Sequence, residues 1–277
     1  MSLIEEVMRR QAHERAATAG AFATGAGAAP AARMARPIAA PAPAATPEPQ
    51  FHAAAIDPEA LERNRVLLRV QDVAVSRAYK ILRTRVLHRM AENGWYTLGI
   101  TGTGAGEGKT VTAINLAIAL AQDPNAWVFL VDLDLQRPQL GAYFGMSYEY
   151  GLTDFLTGQA ELEQVVYDIG IRRLAVVPNA SPVETSSEHL RSARMADFIN
   201  ALESQTPRRI VILDMPPLMV SDDVLAFAPR VDSFLLVATQ GITARRTLAN
   251  AREVLSELNL LGVVLNRSTE HNDSPYY

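Results

Sequence analysis

The sequence predicts an α/β fold, a parallel sheet covered by helices on both faces. Six short apolar runs, at about 95–101, 126–132, 173–178, 209–214, 233–238 and 260–265, read as strands buried on both sides. Helical patterns at 109–122, 151–168, 186–204, 221–228 and 243–258 separate most of them, the alternation of a parallel sheet with crossover helices. A glycine-rich stretch joins the first run to the first helix, and two runs end in aspartate.

Ahead of the sheet, residues 1–17 read as a short amphipathic helix. Ser2 and Glu5 have capping-box spacing, and Leu3, Ile4, Val7 and Met8 form an apolar stripe before Arg9 and Arg10. The stripe fits a docking surface for a partner or an anionic lipid, or a frayed end. Residues 18–56 are rich in alanine, and Pro30, Pro37, Pro41, Pro43, Pro47 and Pro49 interrupt every helical run, so a disordered N-terminal extension is expected. From 57 to 94, Val75, Tyr79, Leu82, Val86 and Met90 recur at helical spacing, and Asn93-Gly94 supplies the stop. A domain over 57–267 and a polar, mobile tail over 268–277 complete the expected organisation.

Composition excludes several functions. The 277 residues contain no cysteine, which rules out a disulfide scaffold, thiol catalysis and cysteine-ligated iron–sulfur clusters. A formal charge of −4 argues against a general nucleic-acid binder. No apolar run approaches the ~18 residues of a membrane span, and the start carries Glu5 and Glu6 instead of a secretory signal. A cytoplasmic location is expected.

The chemistry concentrates where the first strand meets its helix. Gly102-Thr103-Gly104-Ala105-Gly106-Glu107-Gly108-Lys109-Thr110 has the strand–loop–helix setting of a P-loop, although Thr103 stands where the strict pattern has glycine. The glycines let backbone N–H groups turn inward around phosphate oxygens, and the helix start adds unpaired N–H groups and the positive end of its dipole. Gly104, Ala105, Gly106, Glu107, Gly108, Lys109, Thr110 and Val111 are therefore the candidate nucleotide-binding stretch. Lys109 is placed to reach the β- and γ-phosphates and Thr110 to ligate Mg²⁺. The second run ends in Asp132-Leu133-Asp134-Leu135-Gln136-Arg137-Pro138, and the fourth in Asp214-Met215-Pro216-Pro217. In a parallel sheet these acids emerge on the rim that carries the loop, where a cation compensates their burial. The fold class is thus a P-loop NTPase-type sheet.

This ordered set, with GEGKT, VDLDLQRP, GLTDFLTG, ILDMPPLMVSD and LGVVLNR, resembles the bacterial tyrosine kinases over roughly residues 70–267. The resemblance implies an ATP-dependent protein-tyrosine autokinase with Mg²⁺ as cofactor, linked to exopolysaccharide synthesis or export. It implies that Asp132 and Asp134 divide two roles, accepting the tyrosine proton and orienting the metal or its water, with Asp134 assigned to the metal. Asp214 would stand on the metal side, and Asn266 and Arg267 near the nucleotide base. The acceptors would be Tyr276 and Tyr277. A membrane polysaccharide co-polymerase or chain-length regulator is the implied partner, holding the enzyme at the inner membrane, together with further copies of the chain for phosphorylation in trans. Relatives carry arginine where this chain has Gln136. They also carry E-x-x-R-x-x-R where it has Arg77, Lys80 and Arg83, which removes the acidic partner of their ring contacts. Two alternatives stand beside this reading: positioning ATPases of the Min/Par type, which share the fold, and nucleotide-binding regulators without kinase activity. Against the former stands Gly104, where that class has its signature lysine.

Overall fold

The computed structural model describes residues 49–68, 72–206 and 208–268. The helix expected over 1–17, most of the expected linker, and Tyr276 and Tyr277 lie outside the described residues.

Eight strands form one sheet: β1 (His52–Ala53), β2 (Thr97–Gly102), β3 (Trp127–Asp132), β4 (Tyr167–Asp168), β5 (Leu174–Val177), β6 (Arg209–Asp214), β7 (Ser233–Thr239) and β8 (Leu260–Asn266). Their order is β1-β4-β5-β3-β6-β2-β7-β8. All pairings are parallel except β4 with β5. The helices are α1 (Pro58–Arg63), α2 (Val73–Asn93), α3 (Lys109–Leu120), α4 (Leu140–Phe144), α5 (Leu152–Thr157), α6 (Leu162–Val165), α7 (Ser186–Arg191), α8 (Ala193–Ser204), α9 (Asp223–Phe227) and α10 (Arg245–Ser256).

Side chains alternate across each strand, so one sheet feeds two cores. On one face Phe129, Val131, Val211 and Leu213 pack with Phe198 and Leu202 of α8 and Leu255 of α10. On the other, Leu98, Ile100, Val128, Leu130 and Ile212 pack with Ile114 and Leu116 of α3 and Val86 and Met90 of α2. Burial on both faces is why the central strands read as unbroken apolar runs.

Four stretches differ from the sequence reading. Residues 57–94 form two helices, each started by an aspartate: Asp57 caps α1 and Asp72 caps α2. Residues 151–168 form α5, α6 and β4, because Gly158 takes φ 79° and ends α5. Residues 186–204 divide at Ser192, whose extended backbone closes α7 while its hydroxyl caps α8. The last residues of the expected linker are folded: His52–Ala53 pairs with β4, and the Phe51 ring meets Trp127 and Phe129 edge-on at 5.8 and 5.9 Å. Phe51 is an isolated aromatic, and only tertiary contact gives it a place.

Candidate functional site

The glycine loop lies between β2 and α3, and its shape follows from its glycines. Gly106 and Gly108 adopt φ 76° and 86°, in the left-handed region that side chains disfavour. Gly108 is also the N-cap of α3 and has no side chain to cap it, so the first-turn amides face the loop opening. A Cβ on Gly108 would strike the Asn266 amide, and one on Gly102 would strike the Glu107 carboxylate. Lys109 is buried, crosses the bare Cα of Gly102, and donates from Nζ to the Gly104 carbonyl at 3.3 Å.

The acids stand beside this loop on adjacent strands. Asp214 pairs in register with Ile100 of β2 on one side and with Asp132 of β3 on the other. Asp132 is fully buried: Oδ1 accepts the Asp134 N–H at 3.2 Å, and Oδ2 accepts the Gln139 and Leu140 N–H groups at 3.0 and 2.9 Å. It therefore anchors the turn that carries Asp134 and the start of α4. Burial, and then the neighbouring Asp214 charge, raise its carboxyl well above the ordinary range. Asp134 is half-buried and accepts only the Arg137 N–H through Oδ1 (3.1 Å) among the hydrogen bonds described. Burial raises its carboxyl, and the Lys109 charge opposes the rise.

Asp214 is 2% exposed, and its Oδ1 has no hydrogen-bond partner among the described residues. Burial pushes its carboxyl up to about 7, against the pull of a Thr110 hydrogen bond and the Lys109 charge. An orphaned carboxylate oxygen beside a threonine hydroxyl is an all-oxygen donor set that fits Mg²⁺. No cluster of three His, Cys, Asp or Glu residues able to hold a metal occurs among the described residues. The donors that do exist suit an ion completed by phosphate oxygens and water.

Asn266 ends β8 and reaches the loop, but its Nδ2 donates to the Glu107 carbonyl (3.0 Å) and its Oδ1 accepts the Arg267 N–H (2.8 Å). Its side chain is engaged in holding the loop, and Arg267 is exposed. Three features of the site have no motif in the sequence. Thr239 and Thr243 tie the end of β7 to Glu107. The exposed Gln136 donates to Ser186 (2.9 Å), and the buried Ser186 hydroxyl bonds both oxygens of the buried Asp223 (2.8 and 2.9 Å). Tyr143 of α4 is close enough for the Asp214 charge to add to the effect of burial in raising its phenol. The spacing Thr239-x-x-x-Thr243 after a strand was the available signal, and it is too common to single out.

Residues 98–276 match the CobQ/CobB/MinD/ParA nucleotide binding domain. Tyrosine-protein kinase YwqD of Bacillus subtilis is 28% identical over 221 residues, covering 78% of this chain and 92% of YwqD. Tyrosine-protein kinase CpsD of Streptococcus pneumoniae serotype 4 is 31% identical over 173 residues, 61% of this chain and 75% of CpsD. The chain spans 27% of the longer Escherichia coli tyrosine-protein kinase etk. The solved kinase domain of that enzyme superposes with TM-score 0.63 at 28% identity, covering 73% of this chain and 80% of the domain. Pyrococcus horikoshii MinD, at 23% identity, TM-score 0.53 and coverage of 64% and 72%, shares the fold. No helix among the described residues is long and apolar enough to cross a membrane. The order of the motifs along the chain and the extent of these matches agree, and the chain belongs to the bacterial tyrosine-protein kinases, enzymes built on the MinD/ParA-type nucleotide-binding domain.

Proposed function

We propose that the chain transfers the γ-phosphoryl group of ATP to tyrosines of its own C-terminus, Tyr276 and Tyr277, in the service of exopolysaccharide synthesis or export. The observation that carries the reading is the unpartnered, buried Oδ1 of Asp214 beside Thr110 and the uncapped start of α3. Such an oxygen is costly without a cation, and the adjacent amides suit a polyphosphate. Thr110 and Asp214 would hold Mg²⁺ directly or through its water, and the ion supplies charge neutralisation on the phosphates.

The protein's own residues do the remaining work. Lys109 and the amides of Gly106 to Val111 grip the phosphates. Tyrosine has a pKa near 10, so at neutral pH a carboxylate must take its proton as the phenol oxygen attacks phosphorus and the bond to ADP breaks. Asp134 is the acid of the three with a partly exposed carboxylate, and we assign it that proton. Asp132 holds the turn beneath it. This division modifies the expectation that Asp134 serves the metal. Asn266 and Arg267 act at the edge of the loop. A membrane partner of the polysaccharide co-polymerase class that recruits the chain to the inner membrane belongs to the same proposal, and its support is the resemblance of the motifs to those of the bacterial tyrosine kinases.

The test is incubation of the full chain with Mg²⁺·ATP followed by mass spectrometry of the C-terminal peptide. Phosphotyrosine is expected at Tyr276 or Tyr277, absent in Lys109→Ala, and reduced by about 10²-fold or more in Asp134→Asn. ATP turnover without phosphotyrosine would point to the positioning-ATPase class instead.

A further inference from the structure

Glu107 is an acid inside a loop built for anions. A free carboxylate there would repel phosphate, yet this one is fully engaged. Oε2 accepts the N–H groups of Thr103 and Gly104 at 2.6 and 2.9 Å, and Oε1 accepts the Thr103 hydroxyl at 2.6 Å and the Thr243 hydroxyl. The residue is 2% exposed and its carboxylate lies over the bare Cα of Gly102, on the strand side of the loop. Its carbonyl meanwhile accepts from Thr239 Oγ1 at 2.8 Å and Asn266 Nδ2 at 3.0 Å. The Thr243 hydroxyl also accepts the Thr239 N–H at 2.9 Å, which closes the circuit.

We propose that Glu107 is a positioning residue for nucleotide binding, a strut whose carboxylate folds the first loop residues back against Thr243 so that the phosphate cradle is formed before phosphate arrives. The proposal rests on the nucleotide-binding role of this loop and not on tyrosine as acceptor. Its physical basis is preorganisation. A glycine-rich loop is expensive to order, and a loop already ordered by internal bonds binds its ligand more tightly. The strut occupies the amides of Thr103 and Gly104 and leaves those at the start of α3 for the ligand. It also explains why Thr103 is tolerated in place of the glycine of the strict pattern: its hydroxyl is one of the four donors.

The experiment compares the full-length wild type with Glu107→Gln, Thr243→Ala and Thr243→Ser. It measures ADP affinity by calorimetry, KM and kcat for ATP, and melting of the unliganded protein. A glutamine keeps the size but turns an NH₂ group toward donors. The expected result is ADP binding weakened by about tenfold or more in Glu107→Gln, the scale of a lost charge-assisted hydrogen bond. KM should rise in parallel and by more than kcat falls. Thr243→Ala should move the same way by less, and Thr243→Ser should restore wild-type affinity. Wild-type ADP affinity in Glu107→Gln would overturn the proposal, as would a fall in kcat without a loss of affinity. Should Glu107→Gln not fold, the threonine pair decides, and wild-type affinity in Thr243→Ala overturns it. Loss of ADP binding in these variants alongside a wild type that never phosphorylates tyrosine would leave the strut standing and remove the kinase reading.

Discussion

Asp214 shows how one buried carboxylate couples protonation to stability. Its carboxyl lies at about 7 in the fold, against an ordinary value of 3.8. Between those values the folded state keeps a proton that the unfolded chain has released. Stability of the unliganded protein is therefore greatest below pH 4 as far as this group is concerned, and falls as pH rises toward 7. Each tenfold change in proton affinity corresponds to about 1.4 kcal/mol, so a rise from 3.8 to about 7 makes the burden above pH 7 on the order of 4 kcal/mol. Asp214→Asn removes it. The expected outcome is a melting temperature that exceeds the wild type's at pH 8 by much more than it does near pH 4.5, with nucleotide-dependent stabilisation reduced. An equal gap at both pH values would show that Asp214 is ionised throughout. The same residue marks what the sequence reveals about the site. An aspartate ending an apolar strand is legible as an acid on the rim. That Asp214 keeps an unpartnered oxygen while Asp132 has both of its own bonded to backbone amides is not legible, because those partners come from a turn whose path the pattern leaves undefined.

Among the elements, the strands of four or more residues were the most legible. Each central strand follows its apolar run to within about two residues, because burial on both faces leaves no other composition available. The breaks inside longer helical patterns were hidden. At Ser192 the residues on both sides suit helix, and the decision lies in one side-chain bond, Ser192 Oγ accepting the Met195 N–H at 3.1 Å. Ser192→Ala is expected to cost about 1 kcal/mol, read as a shift of the urea midpoint with unchanged slope. An unchanged midpoint would mean that packing of Met195, Phe198 and Leu202 alone sets where α8 begins. The short strands β1 and β4, at two residues each, carry too few side chains for any periodicity.

For the molecule as a whole, the boundary matters more than the linker's composition suggests. A chain begun at residue 57 keeps every motif but loses Phe51 from its place against Trp127 and Phe129, and uncovers the outer edge of β4. Beginning at residue 49 keeps both. The shorter form is expected to melt several degrees lower and to self-associate through the bared edge, measured by calorimetry and light scattering. Equal melting of the two forms would show that the β1 segment is an ornament on a domain complete without it.

The strand order has a consequence for how such a chain is made. β2, which delivers the glycine loop, hydrogen-bonds to β6 and β7 and not to β3. A nascent chain that has emerged only through β5 already contains the entire loop sequence, yet has no strand to dock it and no Asp214. Competence to capture nucleotide therefore arrives late in synthesis, and retention on an immobilised nucleotide would separate finished molecules from prematurely terminated ones.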